Sequence, residues 1–149
     1  MKFLHLADLH LGKCVLEASM LEDQQHFLED VLEIALQEQV NAIVAAGDLY
    51  DRSVPPAEAV EVLDAFLQKA NQAGISVLAV SGNHDSPERL QFLSGILAQQ
   101  GVHIAGLYDG CLRRVTLEDE HGPVHFYLLY QARRKTHQME KLFWYTDRL

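Results

Sequence analysis

Three short segments of the chain carry side chains that could hold a divalent cation. They supply carboxylates, imidazoles and one carboxamide, and the residues in chain order are Asp8, His10, Asp48, Asp51, Asn83, His84 and Asp85. Oxygen and imidazole donors without thiolates suit manganese, iron or zinc better than a soft copper site. A carboxylate such as that of Asp48 has two oxygens, so it can bridge two ions about 3.5–4 Å apart, an arrangement used to hydrolyse phosphate esters. The chemistry these groups predict is metal-assisted hydrolysis.

Each segment taken alone has a simpler interpretation. Glycine, asparagine and aspartate are ordinary turn residues, so residues 82–85 could be a turn without a functional role. Asp8 could cap a turn beside an incidental surface histidine, His10. A polar loop ahead of two prolines would account for Asp48 and Asp51. The functional interpretation therefore depends on whether the three segments meet.

The elements around these segments bring them to one edge of a sheet. Each segment follows an apolar run of strand length, at residues 3–7, 42–46 and 76–80. Helical patterns separate the runs, over residues 20–39 and 55–73, and a third helical pattern follows the last run at 87–100. Strands that alternate with helices pair in parallel, so their carboxyl ends share an edge. So many acids and imidazoles would repel or go unpaired without a cation among them, which disfavours three chance turns.

The sequence beyond residue 100 predicts further strands. A short strand is indicated at 102–105, and two longer runs lie at 112–117 and 124–129. No helical pattern separates the last two, and an acidic turn joins them, so we expect a hairpin. The chain is therefore assigned to the α/β class, with a parallel βαβαβ core and a C-terminal hairpin.

Length and composition favour one globular domain. A chain of 149 residues can bury a sizeable core. No apolar run approaches the ~20 residues that span a bilayer, and the N-terminus lacks a signal-peptide pattern. Cys14 and Cys111 have no CxxC spacing and suit reduced thiols. We therefore expect a cytoplasmic protein without membrane association.

The net charge of −9 is unevenly distributed. Residues 1–130 hold seven Lys and Arg against nineteen Asp and Glu, a net charge of −12, whereas residues 131–149 hold five against two, a net charge of +3. An acidic body argues against a passive nucleic-acid binder, which usually shows a basic patch. It does not exclude an enzyme that acts on phosphates through bound cations, because the cations invert the local field.

The order, spacing and neighbours of the three segments resemble the first three motifs of the calcineurin-like metallophosphoesterases. The matching motifs are Asp8-x-His10, Gly47-Asp48-x-x-Asp51 and Gly82-Asn83-His84-Asp85. The longer runs at 5–12 and 81–90 are similar to those of SbcD-type subunits of the bacterial SbcCD DNA exonuclease. The resemblance covers residues 1–129 and implies a metallophosphoesterase-type αββα sandwich, incomplete in this chain. It divides the chain into the N-terminal portion of a nuclease domain at 1–130 and a basic tail at 131–149.

The resemblance implies a set of metal ligands. Asp8 and His10 would hold one ion, Asp48 would bridge two ions, and Asn83 would bind the second through its side-chain carbonyl oxygen. Manganese is the metal the resemblance implies, and magnesium, iron(II) and zinc are the alternatives.

The resemblance also implies a reaction and its partners. His84 would be catalytic, facing the phosphate, and the Asp51 carboxylate would orient it. Asp85 would support these residues from behind. The reaction would be hydrolysis of DNA phosphodiester bonds by a metal-activated hydroxide, with DNA as substrate and an SbcC-type ATPase subunit as partner.

The chain departs from the family pattern after the third motif. The family's later motifs, a lone histidine and a Gly-His-x-His, complete both metal shells. The histidines of this chain beyond Asp85 are not in that pattern, and they are His103, His121, His125 and His137. We therefore expect weak or absent nuclease activity. The chain also supplies mainly one of the family's two sheets, so an uncovered apolar face predicts self-association into a homo-oligomer.

Two alternative functions fit the same residues. A non-catalytic metal-binding assembly module could dock the ATPase partner. A phosphomonoesterase of the same fold is the other alternative, because Asp48-x-x-Asp51-Arg52 also resembles those enzymes. Ser53 stands where they usually have glycine, and the Asp85 ending favours the nuclease branch.

Overall fold

The computed structural model describes residues 1–107 and 111–129, together with the backbone of residues 146 and 147. The strands of this part of the chain are β1 (Phe3–Ala7), β2 (Cys14–Val15), β3 (Ala18–Ser19), β4 (Ala42–Ala46), β5 (Ser76–Val80), β6 (Val102–Ala105), β7 (Arg113–Asp119), β8 (Gly122–Leu128) and β9 (Thr146–Asp147). The helices are α1 (Leu21–Gln37), α2 (Ala57–Gln72), α3 (Pro87–Gln91) and α4 (Ser94–Ala98).

A four-stranded parallel sheet, in the order β1-β4-β5-β6, lies at the centre of the fold. Ala7 pairs with Ala46, and Ala46 pairs with Val80, so the first three strands end side by side. Helices connect successive strands, as parallel pairing requires. The predicted α/β class and parallel βαβαβ core are therefore confirmed, and the loops after β1, β4 and β5 leave the sheet at one edge.

The helix-facing side of the central sheet forms the larger core. Successive strand residues point to opposite faces, so Ile43 and Val77 lie on this side. They pack with the buried faces of α1 and α2, where Leu28 and Phe66 are among the buried side chains. The apolar faces of these two amphipathic helices thus cover one side of the sheet whose strands carry the site loops.

The other side of the central sheet is covered by the antiparallel sheet that contains β7 and β8. Val44 and Leu78 share this second core with Val115 and Phe126, and the Phe126 ring meets that of Phe3 edge to face with centroids 5.8 Å apart. The predicted hairpin is confirmed. The prediction of an uncovered apolar sheet face is wrong, because the hairpin folds back over it. Self-association, which that face was expected to drive, stays a prediction.

The single helix predicted after the third motif is broken into α3 and α4. Phe92 and Leu93 separate the two, and Leu93 has φ 59°, in the left-handed region. Leu93 is half-exposed, whereas Ser94 is buried. The Gln91 side chain donates to Ser94 Oγ at 2.7 Å and accepts from the Gly106 N–H at 2.9 Å. These polar contacts accompany the break, and apolar periodicity carries no information about them.

No helix in the described ranges is long and apolar enough to cross a membrane. The predicted basic tail at 131–149 lies outside the described residues, except for β9, whose backbone pairs antiparallel with β8. The division of the chain at residue 130 stays a prediction.

Candidate metal centre

The loop after β1 has an unusual backbone conformation. The φ angle is 53° at Asp8, 46° at His10 and 83° at Gly12, a region that is costly for residues with a Cβ. The His10 N–H donates to the Asp48 carbonyl oxygen at 2.9 Å, and a parallel bridge continues the pairing beyond the strands. The loops after β1 and β4 are therefore joined to each other at the sheet edge.

The carboxylate of Asp48 lies where the three loops meet. It is buried, and its Oδ1 accepts a hydrogen bond from the His84 N–H at 2.8 Å. The backbone of Gly82 passes so close that a Cβ there would collide with the Asp48 carboxylate and backbone nitrogen. Only glycine fits at this position, so the turn after β5 is shaped around Asp48.

The carboxylate of Asp85 holds the loops after β4 and β5 together. It is 1% exposed, and its Oδ2 accepts from the N–H groups of Leu49 (3.0 Å) and Gly82 (2.9 Å) while Oδ1 accepts from that of Tyr50 (2.9 Å). Three donors make a buried carboxylate tolerable.

Burial raises the pKa of Tyr50 to about 12, and the charges of Asp85 and Asp64 add to the shift, so this phenol is neutral at neutral pH.

Three of the predicted site residues converge above Asp85. His10, Asp48 and His84 each present one donor atom, and these atoms lie within 4.8 Å of one another. The Nε2 of His10 is 3.8 Å from Oδ2 of Asp48, and the rings of His10 and His84 meet edge to face with centroids 4.9 Å apart. Asp48 is buried, His10 is partly buried and His84 is exposed, so the group opens to solvent.

Asp51 contacts both histidines, through different atoms. Its backbone carbonyl oxygen lies 2.8 Å from Nδ1 of His84, and its carboxylate Oδ1 lies 3.5 Å from Nδ1 of His10. A carbonyl only accepts, so Nδ1 of His84 carries the hydrogen and Nε2 keeps its lone pair when the ring is neutral. The resemblance implies that the Asp51 carboxylate orients His84; in the structure the carbonyl oxygen lies at Nδ1 of His84 and the carboxylate lies beside His10, and the catalytic role of Asp51 stays a prediction.

Comparison with known proteins identifies the family. The model of the calcineurin-like phosphoesterase family matches residues 1–147. The chain belongs to this family. It is 36% identical to the SbcD subunit of the nuclease SbcCD from Staphylococcus saprophyticus over 130 residues, which cover 87% of this chain and 34% of that protein. It is 37% identical to the SbcD subunit of the nuclease SbcCD from Bacillus subtilis over 107 residues, which cover 71% of this chain and 27% of that protein. The matched segment thus spans about a third or less of these relatives.

Calcineurin-like phosphoesterases use divalent metals, and the residues of this chain fit such an ion. Among the described side chains, Nδ1 of His10 is buried and makes no hydrogen bond, the Asp51 carboxylate being too poorly placed to accept one. The nitrogen of His10 that faces Asp48 is the other one, Nε2, at 3.8 Å from Oδ2, so the fit of an ion rests on the donor set. A carboxylate with two imidazoles is a donor set that zinc, iron or manganese accepts.

The structure does not gather every predicted ligand into the group. Asp8 is exposed and is not one of the three converging donors. Asn83 is exposed in the turn that follows Gly82. The ligand roles of Asp8 and Asn83 therefore stay predictions, as does the catalytic role of His84, which the structure places inside the donor group.

The later histidines that the structure describes are not part of this group either. His103 lies on β6, and burial together with the charge of Arg113 lowers its pKa. His121 lies in the turn between β7 and β8. His125 lies on β8 with its Nδ1 at 2.9 Å from Oγ1 of Thr116. None of them completes the metal shell in this part of the chain.

Proposed function

We propose that this chain is the metal-binding part of an SbcD-type nuclease domain that hydrolyses DNA phosphodiester bonds. The observation that carries the proposal is the convergence of His10, Asp48 and His84 from the ends of three neighbouring strands. The phosphoesterase family and the two similar nuclease subunits support the reaction class.

The chain's own residues would divide the work as follows. Asp8 and His10 would hold one ion, Asp48 would be shared between that ion and a second, and Asn83 would bind the second through its side-chain carbonyl oxygen. Divalent ions at such a site neutralise phosphate charge and acidify a bound water. Manganese is the metal we propose, with magnesium, iron(II) and zinc as alternatives.

His84 is suited to contact the substrate. Its Nδ1 is tied to the Asp51 carbonyl oxygen, so the ring is held, and Nε2 would donate to a phosphate oxygen or the leaving oxygen when the ring is in its protonated form. The His10 ring lies against it edge to face, which limits its rotation. The Asp51 carboxylate lies 3.5 Å from Nδ1 of His10 without accepting a hydrogen bond from it, so only its charge acts on that second ring.

The activity of this chain should be weak. The group supplies three converging donors, and the later histidines that the structure describes are not among them. The two similar nuclease subunits are each named as one component of SbcCD, so we propose an SbcC-type ATPase as the partner of this chain. We also propose a cytoplasmic location, because the proposed substrate is DNA.

A non-catalytic metal-binding module is the second candidate. It is favoured by the same small donor set, which is sufficient to bind one ion but short of the two shells that the family uses. Such a module would bind metal and dock its ATPase partner without turning over substrate.

Metal titration and turnover assays on the purified 149-residue protein separate these functions. Mn²⁺ binding is measured by calorimetry, and turnover is measured on bis-p-nitrophenyl phosphate, its monoester and linear DNA. Asp48→Asn removes a proposed ligand, and Asp30→Asn is the control on the exposed face of α1. Weak diester turnover that requires Asp48 supports the nuclease. Binding without turnover supports the module, and turnover of the monoester alone supports a phosphomonoesterase. Absence of Mn²⁺ binding refutes the proposed site.

A further inference from the structure

The side chain of Gln24 makes three hydrogen bonds to the loop after β1. Its Oε1 accepts from the Gly12 N–H at 3.0 Å, and its Nε2 donates to the carbonyl oxygens of Leu9 (3.0 Å) and His10 (2.8 Å). Both amide hydrogens and one oxygen lone pair are therefore used on one short stretch of backbone. One side chain thus satisfies three backbone groups of the loop that carries His10.

These bonds act on a backbone that requires support. Asp8, His10 and Gly12 all have positive φ, and two of the three carry a Cβ. Such conformations persist where the surrounding structure over-determines them, and they cluster at functional sites. The loop after β4 accepts a hydrogen bond from the His10 N–H, and Gln24 donates one to the His10 carbonyl oxygen.

Gln24 is itself anchored in a rigid element. It lies in the first turns of α1, and that helix buries Leu28 and Val31 against the central sheet. The His10 loop is therefore held in position by α1 as well as by the loop after the neighbouring strand β4. The sequence alone assigns Gln24 no role, because a glutamine on a helix surface carries no signal of what its side chain contacts.

We infer that Gln24 is a positioning residue that sets the direction of the His10 ring toward Asp48 and His84. It does not touch the ion or the substrate. The inference rests on the proposed metal site for its functional meaning, but the geometry of the loop can be tested without metal.

Three variants isolate this role. Gln24→Ala removes all three bonds. Gln24→Glu keeps the acceptor for the Gly12 N–H, but it loses both donors and places a carboxylate against two carbonyl oxygens. Gln25→Ala is the matched control, since Gln25 is the neighbouring exposed residue of the same helix and its side chain contacts only that of Glu29 among the bonds of the described residues.

The first measurement is Mn²⁺ affinity by calorimetry under conditions where urea titration shows each variant to be folded. We expect Gln24→Ala to weaken binding by about 10-fold or more, the loss seen when a partner that orients a metal ligand is removed. Gln24→Glu should weaken binding as well, although its Gly12 amide remains protected from hydrogen exchange. Gln25→Ala should bind as the unmodified chain does. Lower stability with unchanged Mn²⁺ affinity would assign Gln24 a structural role only and overturn the inference.

The second measurement uses the metal-free protein, so the inference and the proposed function can fail separately. The ring ¹⁵N resonances of His10 should shift in Gln24→Ala and stay in place in Gln25→Ala. If the unmodified chain binds no Mn²⁺, the proposed function fails, and these resonances still decide the positioning role. Unchanged His10 resonances in both Gln24 variants would overturn it. If Gln24→Ala does not fold, Gln24→Glu provides the same comparison.

Discussion

Replacing Asp85 with asparagine removes the charge that joins two of the three site loops while keeping the size of the side chain. The carboxylate accepts from three backbone N–H groups, those of Leu49, Tyr50 and Gly82, and it is 1% exposed. Asparagine has one oxygen, which can replace Oδ2 and keep two of these bonds. Its NH₂ group would then face the Tyr50 N–H, donor against donor.

The magnitude follows from these three contacts. An unpaired buried N–H costs roughly 1–3 kcal/mol, and the two remaining bonds each lose about 1 kcal/mol when the acceptor is no longer charged. The free energy of unfolding should therefore fall by about 3–5 kcal/mol, a large part of the ~5–15 kcal/mol typical of a domain. The corresponding drop in Tm is on the order of 10 °C for a chain of this size.

The assay is urea unfolding followed by circular dichroism, with Mn²⁺ calorimetry on the folded protein. Asp30→Asn, an exposed substitution of the same chemistry, should change the unfolding free energy by no more than about 0.5 kcal/mol. Mn²⁺ binding should weaken in Asp85→Asn, because the loops that carry Asp48 and His84 are no longer held in register. An unfolding midpoint for Asp85→Asn equal to that of Asp30→Asn would show that the three bonds do not hold these loops.

Two further predictions use other features of the site and the sheet. Gly82→Ala should destabilise the protein by about 1–3 kcal/mol through overpacking and weaken Mn²⁺ binding, because its Cβ would collide with Asp48. Gly95→Ala, in α4 with open space around it, should instead stabilise by about 0.5–1 kcal/mol, and equal effects of the two in urea unfolding would contradict this reasoning. The pKa of half-buried His103 is lowered from 6.5 by burial and by the charge of Arg113. The His103 imidazole therefore binds a proton more readily in the unfolded chain than in the folded chain. Its contribution to stability is then present above about pH 6.5 and is lost as the pH falls through the lower folded-state pKa. His103→Gln should flatten this loss in urea titrations between about pH 5 and 7.5, and a slope unchanged from that of the unmodified chain would refute it.

The central sheet and its loops could be predicted because their signals are local. The apolar runs that became β1, β4 and β5 are each bounded by glycine or polar residues, and helical periodicity separates them. Parallel pairing then requires that the three loops share an edge. That inference placed seven residues at this edge, and the structure brings together the donor atoms of three of them, His10, Asp48 and His84.

Other features could not be predicted because they depend on contacts distant in the sequence. The break at Leu93 accompanies hydrogen bonds between Gln91, Ser94 and the Gly106 backbone, none of which alters apolar spacing. The packing of Val44 and Leu78 against the β7–β8 hairpin is one such feature, because strand patterns do not specify where a hairpin folds.

The sequence by itself determined which chemical groups stand at the three strand ends and that one sheet edge would collect them, because strand order and periodicity follow from local residue patterns. The tertiary structure decided how each group is aimed. It placed the Asp51 carbonyl rather than its carboxylate on His84, used Asp85 to join two loops, and brought Gln24 from a helix to the His10 loop. These choices depend on side-chain hydrogen bonds across 12 to 36 residues of chain, and such bonds are set by packing geometry that residue spacing does not encode.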